Sequence, residues 1–335
     1  MSSTQVSTGL GFRTIAGGLE ATQGDFSSIP IVDLQQPEEK IVESIRDACA
    51  RVGFFYLTGH GVPNKVIDAG FAEAKRFFDL PLEEKEKIDI HKSENMKGYT
   101  KLKGENVDPA NRGDMHEGFD IGGEDTLFAG ATGSANQWPD NLPGFKENVV
   151  QYWDAVRALG IRLFPYFAQA LDLPKDFFES ATKNPGIIMR LLYYPAQHGE
   201  VDEKSLGIGA HTDYEAFTIL AQDDVQALQV LNKDGGWVHA TPMPYHFVVN
   251  IADTFQRWTN DVFVSTVHRA INRSGKERYS IPMFIGVDPD TLIKCLPSCV
   301  SESRPARYEP VKAGEYVENR LRETYAHSAP VEASA

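Results

Sequence analysis

The chain has 335 residues, 41% of them hydrophobic and 24% charged, the profile of a globular protein long enough for one large core or two modest ones. Its formal net charge of −14 argues against nucleic acid or an anionic membrane as partner, since both need a basic surface, but a few local arginines would suffice for an anionic small molecule. The cysteines, Cys49, Cys295 and Cys299, are too sparse for a disulfide framework, and the C-x3-C of the last two lacks a second pair for zinc, so free thiols in a reducing cytoplasm are expected.

Residues 1–27 contain no apolar secretory core and read as an N-terminal extension. No later stretch approaches the roughly 20 apolar residues that span a bilayer. From 28 to 141 the pattern is mixed. "IPIVDL" (29–34) alternates like a short strand, and Pro37 opens a helix with Ile41, Ile45, Ala48, Cys49 and Val52 on one face. "FFYLTGHGVP" (54–63) is a strand running into a Gly-rich turn, followed by a helix carrying Phe71, Ala74, Phe77 and Phe78. "PLEEKEKI" (81–88) suits a further helix start. Residues 91–140, rich in Gly, Asn, Asp and Lys, read mostly as loop around "DMHEGFDIG" (114–122).

Residues 142–182 hold one long amphipathic helix, with Phe145, Val149, Tyr152, Val156, Leu159, Leu163 and Phe167 inward and Pro165 as an expected kink or break. From 183 to 300 the period changes to two. Eight short strand candidates follow one another, most separated by turn signals such as "AQDD" and "NKDGG", and eight is the jelly-roll number. A C-terminal helix, "GEYVENRLRETYA" (314–326), and a frayed tail complete residues 301–335. The expected fold class is α+β, a jelly roll with flanking helices.

Within the roll, "GIGAHTDYEAFTIL" (207–220) sets His211 and Asp213 two residues apart on a strand edge, side by side on one face. Such a couple is either a hydrogen-bonded structural pair or two-thirds of a metal site. His268, on the alternating "VSTVHRAIN", can return beside it in a closed roll, giving the form of a two-His-one-carboxylate triad. The other histidines, including His60, His116, His239 and His246, read as structural. Arg278 and Ser280 in "ERYSIPMF" share a strand face, and an arginine fork with a hydroxyl is a receptor for one carboxylate.

"HTD" (211–213), "VHR" (267–269) and "RYS" (278–280), in this order, resemble the iron(II)- and 2-oxoglutarate-dependent oxygenases of the isopenicillin N synthase-like family. "GFFYLTGHGVP", "FFDLPLEEK", "KGY" (97–99), "HEGFDIG" (116–122), "RLLYYP" (190–195) and "VVNIADTFQRWTND" (248–261) extend the resemblance over roughly residues 28–326. The resemblance implies a double-stranded β-helix, iron(II) held by His211, Asp213 and His268, and 2-oxoglutarate held by Arg278, Ser280 and Tyr194, with dioxygen as co-substrate. Leu192 stands where many members have asparagine, which bears on how the co-substrate is oriented.

Fungal members of thymine hydroxylase type resemble this chain at Arg190, Tyr214 and Phe284, which implies contacts to a flat ring. Strand alternation puts Arg190 on the face of Tyr194; a substrate oxygen or carboxylate, or an internal ion pair, would satisfy it. The expectation is a cytoplasmic enzyme acting on a small cyclic oxygen-bearing molecule, by hydroxylation, desaturation or ring expansion, with a fungal tropolone or polyketide-tailoring role suggested by overall resemblance. Two other readings remain: an oxidase with the same triad but no 2-oxoglutarate, and a non-catalytic jelly-roll binding protein. Oligomeric state is left open.

Overall fold

The computed structural model describes residues 3–325 apart from 17, 24–28, 108–111, 125–134, 199–201 and 203; the tail expected to fray, with His327, lies outside the described residues. Along the chain run β1 (Ser3–Thr8), β2 (Gly11–Ala16), β3 (Thr22–Gln23), β4 (Ile31–Asp33), α1 (Glu38–Arg51), β5 (Phe54–Thr58), α2 (Asn64–Phe78) and α3 (Leu82–Lys85). Then come β6 (Gly98–Thr100), β7 (Glu117–Gly122), α4 (Phe145–Ala170), β8 (Ile187–Tyr194), β9 (Ile208–His211), β10 (Phe217–Gln222), β11 (Leu228–Leu231) and β12 (Trp237–His239). The last elements are β13 (Phe247–Ile251), α5 (Asp253–Trp258), β14 (His268–Ala270), β15 (Arg278–Ile285), β16 (Leu292–Ile293), β17 (Val311–Lys312) and α6 (Ala313–Tyr325).

The eight strands expected between 183 and 300 form and divide equally between two sheets. Four of them, in the order β13-β10-β15-β8, are the centre of an eight-stranded sheet that β4 and β5 extend on one side and β7 and β6 on the other. The other four, β12-β11-β14-β9, make a smaller sheet with β3 at its edge. This is the α+β architecture of a double-stranded β-helix with flanking helices.

Period-two sequence assigns the two faces of the large sheet. On β15, Ile281, Met283 and Ile285 join the main hydrophobic core, whereas Arg278, Ser280, Pro282 and Phe284 line a cavity on the other face. On β8, Ile187, Met189 and Leu191 join the core and Ile188, Arg190, Leu192 and Tyr194 face the cavity. The core is closed by α1, α2 and α4, with Ile41, Ile45, Ala48 and Cys49 of α1 buried at helical spacing.

Two departures from the sequence reading have physical causes. Of the kink or break expected at Pro165, the break does not occur, and helix α4 continues through it; buried Leu163, Phe164 and Phe167 on either side hold it in the core, so packing outweighs the lost backbone bond. Part of the expected loop at 91–140 is strand, since β7 lies between β8 and β6. Its glycines hide the alternation of Phe119 and Ile121, in the core, with Asp120, in the cavity. In the N-terminal extension, β1 pairs with β2, and Val6 and Ile15 pack on Ala210, Trp237 and Val267 of the small sheet.

Candidate metal and co-substrate site

Antiparallel pairing of β9 with β14 places His211 directly opposite His268, with ring centroids 4.3 Å apart. Asp213 follows immediately after β9, and its Oδ1 is 3.5 Å from Nε2 of His211 and 3.6 Å from Nε2 of His268. The three donor atoms lie within 4.8 Å of one another, and no other group of three such side chains is found among the described residues.

The surrounding hydrogen bonds aim these atoms inward. His211 Nδ1 donates to the Gly209 carbonyl at 2.8 Å and His268 Nδ1 to the Thr266 carbonyl at 3.1 Å, so each Nε2 presents a lone pair. Asp213 Oδ2 accepts from Thr218 Oγ1 at 2.5 Å and Asn250 Nδ2 at 2.7 Å, leaving Oδ1 for the histidine side. Asp253, at the start of α5, ties the two ligand-bearing segments together: Thr212 donates to its Oδ2 at 3.2 Å and Ser265 to its Oδ1 at 2.7 Å. Burial and the neighbouring His211 push the His268 imidazole down to about 4, keeping it a neutral ligand. Burial would raise Asp213, but His268, His211 and the Asn250 bond outweigh it and hold the carboxylate ionised. Two neutral-capable imidazoles and one carboxylate, locked from behind and open in front, fit a non-haem iron(II).

A cavity of about 530 Å³ holds all nine side chains singled out from the sequence: His211, Asp213, His268, Arg278, Ser280, Tyr194, Arg190, Tyr214 and Phe284. Register sets Arg278 opposite Tyr194 and Ser280 opposite Leu192. Ser280 Oγ donates to the Tyr194 hydroxyl at 3.4 Å, and the Arg278 guanidinium sits 4.7 Å over the Tyr194 ring. Arg278 is 1% exposed. Among the described residues it reaches only uncharged oxygens, Ser280 Oγ at 3.5 Å and Gln222 Oε1 at 3.4 Å, and its Nε has no partner there. A buried guanidinium without a carboxylate is costly until an anion joins it, so this corner can receive one end of a dicarboxylate.

Tyr214 and Phe284 add aromatic surface, and the Arg320 guanidinium of α6 lies 4.9 Å over the Tyr214 ring. Arg190 reaches the cavity but is already ion-paired, its Nε with Asp120 Oδ1 at 2.8 Å and its Nη2 with Glu105 Oε1 at 2.6 Å. Glu105, Asp120, His116, Thr218, Asn250 and the buried Glu215 were not picked out from the sequence as site residues. Strand alternation in "EGFDIG" would have found Asp120; Glu105 comes from a loop and left no pattern. Burial pushes the Glu215 carboxyl up to about 8.

Two family models match the chain: "non-haem dioxygenase in morphine synthesis N-terminal" over residues 29–141 and "2OG-Fe(II) oxygenase superfamily" over residues 186–287. A 2-oxoglutarate-Fe(II) type oxidoreductase of Emericella nidulans is 37% identical over 297 residues, covering 85% of each chain. A homoarginine-6-hydroxylase of Glycine max is 37% identical over 297 residues, covering 81% of this chain and 89% of its own. A Neurospora crassa protein crystallised with alpha-KG superposes at a TM-score of 0.81 with 31% identity, covering 91% of this chain and 99% of that one. The same protein with alpha-KG and thymine gives 0.78 with 30% identity, covering 88% and 96%.

Proposed function

Because the chain belongs to the iron(II)- and 2-oxoglutarate-dependent oxygenases, enzymes that oxidise small organic molecules, we propose that its own substrate is a small, flat, cyclic, oxygen-bearing metabolite. Bound iron(II), with 2-oxoglutarate and dioxygen, supplies the oxidising power to take hydrogen from a substrate C–H bond, releasing succinate and carbon dioxide. His211, Asp213 and His268 hold the metal, each oriented by the backbone carbonyl or side chain behind it. Arg278, helped by Ser280 and Tyr194, takes the far carboxylate of 2-oxoglutarate and thereby directs its keto-acid end toward the triad. The observation that carries this assignment is the Arg278 guanidinium, fully buried and without an ion-paired carboxylate among the described residues, in the same cavity as the three metal donors.

Tyr214 and Phe284 offer the ring faces between which a planar substrate is positioned, and the apolar remainder of the wall excludes water. The thymine-bound Neurospora neighbour supports a flat ring as the substrate shape. Hydroxylation is the proposed outcome. Desaturation or ring expansion starts from the same hydrogen removal, and a tropolone or other polyketide-tailoring step in fungal secondary metabolism belongs to this reading. A cytoplasmic location fits three buried cysteines with no disulfide; among the described residues no helix is long and apolar enough to cross a membrane.

The test is succinate release from 2-oxoglutarate by the iron-loaded protein, with and without candidate rings. Ring-dependent succinate formation is expected. Product formation without succinate would instead indicate an oxidase that needs no 2-oxoglutarate.

A further inference from the structure

The cavity has a second charged wall, made from β7, β8 and a loop. Register pairs Asp120 with Arg190, whose guanidinium bridges Asp120 and Glu105. Glu105 Oε2 in turn meets His116 Nε2 at 3.1 Å, and His116 Nδ1 meets the Gly207 carbonyl at 2.9 Å. Both ring nitrogens of His116 therefore face acceptors. Since a carbonyl and a carboxylate can only accept, both nitrogens carry hydrogen and the ring is an imidazolium. The wall thus holds two cations, Arg190 and His116, which Glu105 and Asp120 face, and the buried Asp114 carboxyl also acts on His116. It offers an incoming anion no unmatched positive charge, unlike the Arg278 corner.

Two details point to a ligand rather than to stability alone. Among the described residues only Oδ1 of Asp120 is engaged, and Asp120 lines the cavity. Gly118, on the same face of β7, keeps the space before the pair clear: a Cβ there would lie 3.1 Å from Arg190 Nη2 and 3.7 Å from Asp120 Oδ1. A buried carboxylate with an oxygen toward the cavity needs a donor once water is displaced.

We propose that Asp120 is a specificity-determining residue that accepts a hydrogen bond from an N–H or O–H on the substrate ring, so that the substrate class is a neutral lactam, imide or hydroxy-carbonyl ring rather than a carboxylic acid. The inference rests on the oxygenase reading with a flat ring. A site built to hydrogen-bond a donor rejects analogues lacking it far better than an apolar pocket rejects an extra methyl group.

The experiment measures ring binding to the iron-loaded, 2-oxoglutarate-bound protein under anaerobic conditions, by titration calorimetry. The probes are thymine and 2-hydroxybenzaldehyde, their N,N′-dimethyl and O-methyl derivatives, and benzoate. At least one donor-bearing ring is expected to bind about tenfold or more tighter than its methylated form and than benzoate. Asp120→Asn, which replaces the free acceptor by a donor, should collapse that ratio toward one. If Asp120→Asn does not fold, as judged by its melting curve, Gly118→Ala tests the same placement: its methyl group intrudes in front of Arg190 and should weaken ring binding several-fold. Equal binding of methylated and unmethylated rings, tighter binding of benzoate, no binding of any ring, an unchanged ratio in Asp120→Asn, or unchanged affinity in Gly118→Ala would overturn the proposal. Succinate release without any ring is assayed on the wild-type protein in parallel; its complete absence would strike the oxygenase reading itself, separately from Asp120.

Discussion

The metal corner and the Glu105–Arg190 wall are both buried, both polar and both part of one cavity, yet they handle charge in opposite ways. His211, Asp213 and His268 present donors to a cation from outside the chain, with backbone carbonyls and Asn250 holding them from behind. The wall balances itself: Glu105 is held well below the usual carboxylate range despite burial, because Arg190 and His116 flank it. Arg278 is a third case, a buried cation with no ion-paired carboxylate among the described residues and the proposed seat of an anionic co-substrate. Groups whose counter-charge comes from a ligand should therefore affect ligand binding when changed, while Glu105 and His116, whose counter-charges lie within the chain, should affect folding; Asp120, paired through Oδ1 alone among the described residues, should act on ligand binding.

The sharpest break would come at the triad. His211→Ala or Asp213→Ala should abolish iron-dependent succinate release, and His211→Ala should leave the melting temperature of the metal-free protein nearly unchanged, whereas Asp213→Ala also strands the Thr218 and Asn250 donors. Near-normal turnover in either variant would remove the metal assignment. Next in size, Arg278→Ala loses a charge-assisted contact of about 1.5–3 kcal/mol, so the 2-oxoglutarate concentration needed for half-maximal rate should rise by about ten- to a hundredfold. Arg278→Lys should recover only part of this, because an ammonium lacks the guanidinium fork. An unchanged requirement in both would place the co-substrate elsewhere. Asn250→Ala removes one of the two donors that hold Asp213 Oδ2, leaving Thr218, and iron affinity should fall by about tenfold or more, read from a metal titration.

On the wall the expected effect moves to stability. Glu105→Gln leaves two buried cations short of a counter-charge and should cost about 3 kcal/mol in denaturant unfolding, with iron affinity little altered. A stable variant with lost metal binding would erase the distinction between the two corners. The smallest effect is in pH. Burial opposes the charge on His116 most strongly, but the bond to Glu105, the Glu105 charge and the Asp114 charge together outweigh it and lift the imidazole above its ordinary 6.5. A histidine raised on folding stabilises fully below 6.5 and loses that contribution as pH rises through its folded value. His116→Gln should therefore lower the melting temperature more at about pH 5.5 than at about pH 8.5. An equal loss at both would mean that the ring is neutral in the folded protein.

Much of the molecule follows from local sequence alone. Helical spacing of Ile41, Ile45, Ala48 and Cys49 and strict alternation in "RYSIPMFI" specify which faces are buried, because one element's period is a local property. The short separation in "HTD" likewise puts His211 and Asp213 together without reference to the rest of the chain. Other features depend on contacts distant in sequence. The division of eight strands between two sheets, and the pairing that brings His268 opposite His211, depend on how the roll closes. Helix α4 passes Pro165 because the surrounding core compensates. Strand β7 exists because β8 offers its edge to a glycine-diluted segment. Whether Arg190 would meet a substrate or an ion pair was undecidable from its strand face, because Glu105, 85 residues away, carries no periodic signal of its own. A buried charge is assigned its role by the neighbour that reaches it, and that neighbour is chosen by the tertiary fold.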